Sequence, residues 1–325
     1  MSPVLEAAEE STVGASTVIK QTSTIVLATD GTSQSEQAVE LAWLVGARTK
    51  SDIRVLTVVD QPPIPWGTIG SASAADYERG LNAEALATVK QQILSFGDSK
   101  WPVEVELGDP AETIATKAKG CDAKLVIMGL GGHGAISRVF GSETALRLAR
   151  VSETPVLAVE PRLTRLPKRI LVAMDFSEAS IEVARLALEL ADESGSMVLA
   201  HVVPWKLTPY VPDEWVRTHQ ASVSAQLSRV VGWLNPKRGF RIGQRILCGR
   251  PGATLLKYAE ELEVNLIATG THGRTASKRL LGGQTVDKLI RGARCSILVF
   301  PAAAGFHERP DHPVVALKGE HQFAG

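Results

Sequence analysis

The chain is written twice. When TIVLATDGTSQSEQAVELA is set above KRILVAMDFSEASIEVARLAL, Asp30 falls on Asp175 and Ser35 on Ser180, a shift of 145 residues. Further along, IRVLTVVD lies over GSMVLAHVVP, which sets Val58 on Val202. From GDPAETI over GRPGATL to LVIMGLGG over LIATGTHG the shift is a constant 141. It brings together Gly108/Gly249, Pro110/Pro251, Thr113/Thr254, Gly129/Gly270, Gly132/Gly273, Gly141/Gly282 and Leu157/Leu298. Glycines in register at both ends of a gap-free run are hard to obtain by chance. Each unit is far longer than the ~50-residue repeats of solenoids, so the pattern means two tandem domains.

Each copy alternates strands and helices. Val/Ile/Leu-rich runs at 24–29 and 169–174 read as strands buried on both faces. Each ends in an Asp followed by small polar residues suited to capping a helix that starts near Ser33 or Ser177. Second strands are expected near 53–59 and 197–203, and second helices near 74–96 and 213–234. Third strands follow near 102–107 and 241–247, then helices near 110–119 and 251–261. LVIM and LIAT read as fourth strands, 142–150 and 284–291 as last helices, and PVLAV and SILVF as fifth strands. Such alternation requires a parallel sheet covered on both faces, an α/β doubly wound domain in each copy. The expected partition is a mobile tail at 1–21, domains at 22–162 and 163–302, and a second mobile tail at 303–325.

Composition narrows the function classes. The chain has 325 residues, with 35 Lys and Arg against 35 Asp and Glu, a formal charge of zero. No general attraction to nucleic acid or to an acidic membrane follows from that balance. No apolar run approaches the ~18 residues of a membrane helix. The amino terminus, MSPVLEAAEESTVG, lacks the basic start and apolar block of a secretory signal. Cys121, Cys248 and Cys295 are scattered and odd in number, so no disulfide framework is expected, and the simplest compartment is the cytoplasm. No Cys-x-x-Cys pair offers zinc or redox chemistry. His307, His312 and His321, in the last segment, have no spacing that suits a rigid metal site.

The segments with chemical content are MGLGGHGAISRVFGS, residues 128–142, and TGTHGRTASKRLLGGQ, residues 269–284. Each leaves a buried strand, passes through closely spaced glycines and enters a helix. Glycines let backbone amides approach a ligand, and a helix amino terminus adds unpaired N–H donors, so the combination can cradle phosphate. Tight turns alone would also account for glycines here. The segments lack the Gly-Lys-Ser/Thr of a Walker loop, and a dinucleotide fingerprint would follow the first strand instead. Ligands of open α/β sheets sit beyond the carboxyl ends of the strands where the connections change direction. Asp30 and Asp175 end the first strands and the glycine segments end the fourth, so each Asp would face a glycine loop across one crevice. The Asp can accept a hydrogen bond from a ribose or simply cap the following helix. Trp66, Trp205 and Trp215 stand beside the Pro-rich loops and would edge a crevice or cover the sheet.

On these residues the chain resembles the universal stress protein family over about 22–302. VLATDGTSQSEQA, ILVAMDFSEAS, the VV that ends each second strand, and LVIMG or LIATGTHG before the loop carry the likeness. The resemblance implies a five-stranded parallel sheet of order 3-2-1-4-5 in each half. It also implies ATP binding through a Gly-x2-Gly-x9-Gly-Ser/Thr loop. The implied nucleotide contacts are Asp30, Val58, Met128, Gly129, Gly132, Gly141 and Ser142 in the first half. In the second they are Asp175, Val202, Thr269, Gly270, Gly273, Gly283 and Gln284. Any Mg2+ would arrive with ATP. Single-domain members dimerise through the fifth strand, so residues 155–159 and 296–300 would pair within this chain as an internal pseudo-dimer. A homodimer of chains is left open.

Neither loop fits the family pattern completely. After Gly129-x2-Gly132 only eight residues precede Gly141-Ser142, and a gap-free reading puts Glu143 at the hydroxyl position, where a carboxylate repels a triphosphate. The second loop keeps the full spacing, Gly270-x2-Gly273-x9-Gly283, but carries Gln284 in place of the hydroxyl. It also carries Arg274, Lys278 and Arg279, which makes the second half the expected nucleotide site. His133 and His272 have no evident acid partner, and no catalytic residue is assigned. Two alternatives stand beside nucleotide binding in a stress response: a scaffold that has lost its nucleotide and works through protein contacts, and a slow ATPase.

Overall fold

The computed structural model describes residues 23–60, 71–96, 100–131, 141–203, 213–271, 283–302 and 304. The expected tails therefore lie outside the described residues, apart from Ala304. So do Gly132, Gly273, Arg274, Lys278, Arg279, His133, His272, Trp66, Trp205 and the three histidines of the last segment, as does the side chain of Trp215.

In the first half the order is β1 (Thr24–Ala28), α1 (Glu36–Thr49), β2 (Asp52–Val59), α2 (Ser71–Ser95), β3 (Val103–Leu107), α3 (Pro110–Gly120), β4 (Ala123–Gly129), α4 (Ser142–Val151) and β5 (Val156–Val159). The second half repeats it: β6 (Arg169–Ala173), α5 (Glu178–Leu190), β7 (Ser196–Val203), α6 (Asp213–Leu234), β8 (Arg241–Cys248), α7 (Pro251–Glu261), β9 (Leu266–Gly270), α8 (Gly283–Gly292) and β10 (Ser296–Phe300). The expected elements are all present, and most bounds agree within three residues.

The ten strands form one sheet of order β3-β2-β1-β4-β5-β10-β9-β6-β7-β8. Each half therefore has the order 3-2-1-4-5, with parallel pairing throughout. The two halves meet at the single antiparallel seam, where Val156, Leu157 and Ala158 pair with Val299, Leu298 and Ile297. An apolar strand left at an edge invites pairing, and here the partner is the other copy's fifth strand.

Successive strand residues point to opposite faces, and the two cores show that period directly. Ile25 and Leu27 join the cluster under α1, α2, α5 and α6, whereas Val26 and Ala28 join the one under α3, α4, α7 and α8. The first two crossovers of each half thus lie on one face and the last two on the other. The direction of winding reverses between β1 and β4, and again between β6 and β9. Local signals agree with this path. Asp109 caps α3 by accepting from the Glu112 amide at 3.1 Å, Pro110 occupies the first turn, and Lys117 and Lys119 sit in the last.

Candidate functional site

The winding reversal opens a crevice at the carboxyl ends of β1 and β4. Ala28 pairs with Leu56 on one side and with Met128 on the other, so the next residues, Thr29 and Asp30, emerge where the two neighbours diverge. Asp30 is half-buried, and its Oδ1 accepts from the Thr32 amide at 3.1 Å, the Thr32 hydroxyl at 2.7 Å and the Ser35 hydroxyl at 3.2 Å. In the second half Asp175 Oδ1 accepts from the Ser177 amide at 2.9 Å and the Ser177 hydroxyl at 2.5 Å. Both carboxylates thus hold the turn into the next helix through one oxygen. The other, Oδ2, has no partner among the described residues.

The two turns end differently. Ser177 caps α5 by accepting from the Ser180 amide at 3.2 Å, as the sequence predicts. In the first half a short 3-10 turn, Ser33–Ser35, precedes α1, and neither Thr32 nor Ser35 makes a side-chain cap. The Ser35 hydroxyl is committed elsewhere. It lies 2.8 Å from the Thr29 hydroxyl and 3.0 Å from Gln92 Nε2, in a buried cluster. Thr29 donates to Gln92 Oε1 at 2.7 Å, and Gln92 Nε2 donates to the Thr32 carbonyl at 2.7 Å. Gln92, on α2, thereby holds the loop carrying Asp30. Neither Thr29 nor Gln92 stands out in the sequence.

The second half places other chemistry there. Met174 replaces Thr29, Phe176 replaces Gly31, and His201 stands where the first half has Thr57. Phe176 is 5% exposed with a left-handed φ of 62°, and its ring lies 5.1 Å from the His201 ring. His201 Nδ1 donates to the Met174 carbonyl at 2.8 Å, which leaves Nε2 as the unprotonated nitrogen of the neutral ring. Burial lowers the His201 pKa, and nearby His219 pushes the same way; the Met174 bond and Asp175 oppose them. The repeated sequence offers one signal for these residues: positions where otherwise matching copies differ.

The other sequence-predicted residues divide by location. Met128 and Thr269 are buried in their strands, and Val58 is 2% exposed, while Val202 is half-buried. Gly129 and Gly270 end their strands beside the Asp turns, but their reason for being glycine is packing. A Cβ on Gly129 would lie 3.1 Å from the Gln34 carbonyl, and one on Gly270 would lie 2.8 Å from the Ala179 Cβ. Close packing against the turn or helix that follows each Asp is thus a reason for glycine at both positions. Gly141 is the cap residue of α4 and makes no side-chain bond, with Ser142 opening the first turn. Gln284, in the first turn of α8, is exposed. The carboxylate of Glu143 does not stand alone: Arg291 of α8 reaches it at 2.8 Å, and Arg150 of α4 pairs with Asp287 in return. At each corner an Asp oxygen with no partner among the described residues therefore stands at the carboxyl ends of apolar strands, those of Val58 and Met128 in the first half and of Val202 in the second.

Cys295 is buried, and burial pushes its thiol up to about 12, whereas Cys121 is half-buried and Cys248 exposed. Among the described residues no helix is long and apolar enough to cross a membrane.

Comparison with known proteins gives this architecture a family. The profile described as Universal stress protein family matches residues 22–160 and again 167–301. Universal stress protein Rv2005c of Mycobacterium tuberculosis is 24% identical over 289 residues, covering 85% of this chain and 96% of its own length. Universal stress protein MJ0531 of Methanocaldococcus jannaschii is 29% identical over 138 residues, which is 41% of this chain and 81% of that protein. The crystal structure of a universal stress protein from Archaeoglobus fulgidus superposes with a TM-score of 0.57 at 20% identity, covering 85% of this chain and 95% of its own. The repeated unit, the winding reversal at each Asp turn and the two profile matches have one meaning: the chain belongs to the universal stress protein family, with the family domain present twice.

Proposed function

We propose that this chain binds ATP or a related adenine nucleotide in at least one of its two crevices, with the second half as the stronger site, and serves in a stress response. Membership of the universal stress protein family is what points to an adenine nucleotide. The observation that carries the reading is the corner geometry: in each half an Asp whose Oδ2 has no partner among the described residues stands at the winding reversal, beside the strand that leads into the glycine loop. Asp175 would take the ribose, with Val202, Thr269 and Gly270 around it and Gly273, Arg274, Gly283 and Gln284 along the phosphates. Asp30, Val58, Met128, Gly129, Gly132, Gly141 and Ser142 would do the same in the first half. Mg2+ would enter with the triphosphate. The second half is preferred for its complete loop spacing and its added positive charge.

The test is direct. Denaturing the purified protein should release adenine nucleotide, and added ATP should raise the melting temperature. Saturation at 100 times Kd stabilises a fold by about 2.7 kcal/mol. Asp175→Ala should remove most of that shift and Asp30→Ala little of it. If neither release nor shift is seen, the tandem scaffold replaces this reading; if Asp30→Ala alone abolishes the shift, the site lies in the first half. Phosphate release that Gly273→Ala abolishes would make the protein a slow ATPase.

A further inference from the structure

The ten-stranded sheet ends on β3 at one side and on β8 at the other, and among the described residues no strand pairs with the outer side of either. An unpaired edge offers a row of backbone donors and acceptors to another chain. The two edges are the same strand of the repeated unit, yet they carry opposite charge at matching positions. At the 141-residue shift Arg245 stands on Glu104, Tyr258 on Lys117 and Gly243 on Pro102. β3 has five residues and follows Pro102, whereas β8 has eight, contains no proline and pairs with β7 along its whole length.

On β3 the charge is acidic. Glu104 and Glu106 lie on the α3 face, where Lys117 Nζ is 3.4 and 2.5 Å from them, and Arg54 of β2 adds a looser contact to Glu104 at 3.9 Å. Both carboxylates stay accessible, at 43% and 36% exposure. On β8 the charge is basic. Arg241 and Arg245 are exposed and, by strand alternation, share the α7 face, where Arg245 donates to Tyr258 Oη at 3.2 Å. No carboxylate pairs with either arginine among the described residues.

We propose that molecules of this chain associate head to tail, β8 of one adding antiparallel to β3 of the next, so that the sheet runs on between them. Direction agrees. The one antiparallel seam makes β3 and β8 run oppositely, so a second molecule stepped along the sheet sets its β3 antiparallel to β8 with each face continued. Backbone phase agrees as well. The Arg241 and Gly249 amides donate inward to the Gly195 and Val203 carbonyls at 3.4 and 3.0 Å, which turns the groups of Ile242, Gln244 and Ile246 outward. In β3 the Pro102 carbonyl accepts from the Val55 amide at 2.9 Å and the Gly108 amide donates to the Val59 carbonyl at 3.1 Å, which turns Val103, Val105 and Leu107 outward. Setting Ile246 across from Val103, Gln244 from Val105 and Ile242 from Leu107 matches outward groups to outward groups. The same register places Arg245 directly across from Glu104, and Glu106 opposite Gly243 and diagonal to both arginines. Two β8 strands set together bring arginine toward arginine instead. A head-to-tail contact of this kind does not close on itself and yields an open series.

Sedimentation of the full chain at rising concentration and low salt tests the contact. The mean mass should climb past that of a dimer, and about 1 M salt should reverse most of the rise, since it cuts the reach of charge to ~3 Å. Arg245→Glu should weaken association about tenfold, and Glu104→Arg likewise. Mixing these two variants should restore it, because every contact between unlike molecules then joins opposite charges. Gln244→Pro removes an outward amide and none of the bonds to β7, so it should abolish the series while the melting temperature stays near that of the parent. A mass that stays at one molecule across all concentrations overturns the proposal. So does association that stops at a dimer, or a mixture no more associated than either variant alone.

Discussion

The two Asp corners have the same backbone plan and opposite interiors. In the first half the corner is a buried hydrogen-bonded cluster of Thr29, Ser35 and Gln92, with Gly31 taking the left-handed turn at φ 74° beside it. In the second half the turn is taken by Phe176 at φ 62°, and the space is filled by its ring and that of His201. Glycine adopts such a φ at little cost, whereas a bulky residue does so only when its surroundings over-determine it. Burial of the Phe176 ring is what holds the second corner, and a polar network drawn from α2 holds the first. One fold position has thus been stabilised by apolar contact in one copy and by hydrogen bonds in the other, while the carboxylate that faces the crevice is kept in both.

The comparison can be broken most severely at Phe176. Phe176→Ala should lower unfolding free energy by about 3–5 kcal/mol, read in urea denaturation. If the loss is below about 1 kcal/mol, the ring is not what holds that corner. Gln92→Leu should cost about 1–3 kcal/mol because it removes the bonds that Gln92 makes to the Thr29 hydroxyl and the Thr32 carbonyl in a buried cluster. Gly31→Ala should cost more than about 1 kcal/mol, since its Cβ would lie 2.6 Å from Thr88 Cγ2. Adding Thr88→Ser should recover part of that loss, and strict additivity of the two would show that the clash is not the cause.

A smaller, pH-dependent difference should come from His201. Its folded pKa lies below the ordinary 6.5. The unfolded chain therefore binds more protons, and the His201 contribution is complete above about pH 6.5 and lost as the pH falls toward the folded value. Melting temperatures at pH 7.5 and 5.5 should drop less in His201→Gln than in the parent; equal drops would remove His201 from the account. The smallest effect is expected from Arg291→Gln. Its bridge to Glu143 joins side chains that are 55% and 64% exposed, and such pairs are worth about 0.5 kcal/mol or less.

Much of the fold was legible because most strands are short Val/Ile/Leu runs bounded by turn residues. The parallel sheet follows from alternation with helices, and the strand order came with the family resemblance. The corner interiors were not legible. Gln92 reads as one polar residue among several on a long helix, and only the docking of α2 brings it within 2.7 Å of Thr29. Gly129 and Gly270 read as ligand-facing glycines, and only the structure adds a packing reason, the Gln34 carbonyl and the Ala179 methyl beside them. The cap expected near Ser33 was displaced because the Ser35 hydroxyl turned inward to the Thr29 cluster.

The sequence by itself determined that this protein is one α/β unit made twice, since a repeated pattern of apolar runs and turn residues can bury its faces in only one way. The tertiary structure decided how each copy finishes its corner and where the copies join. Those choices depend on side chains distant in sequence, Gln92 on Thr29 and Val156 on Val299, and no local periodicity records which remote group fills a given space.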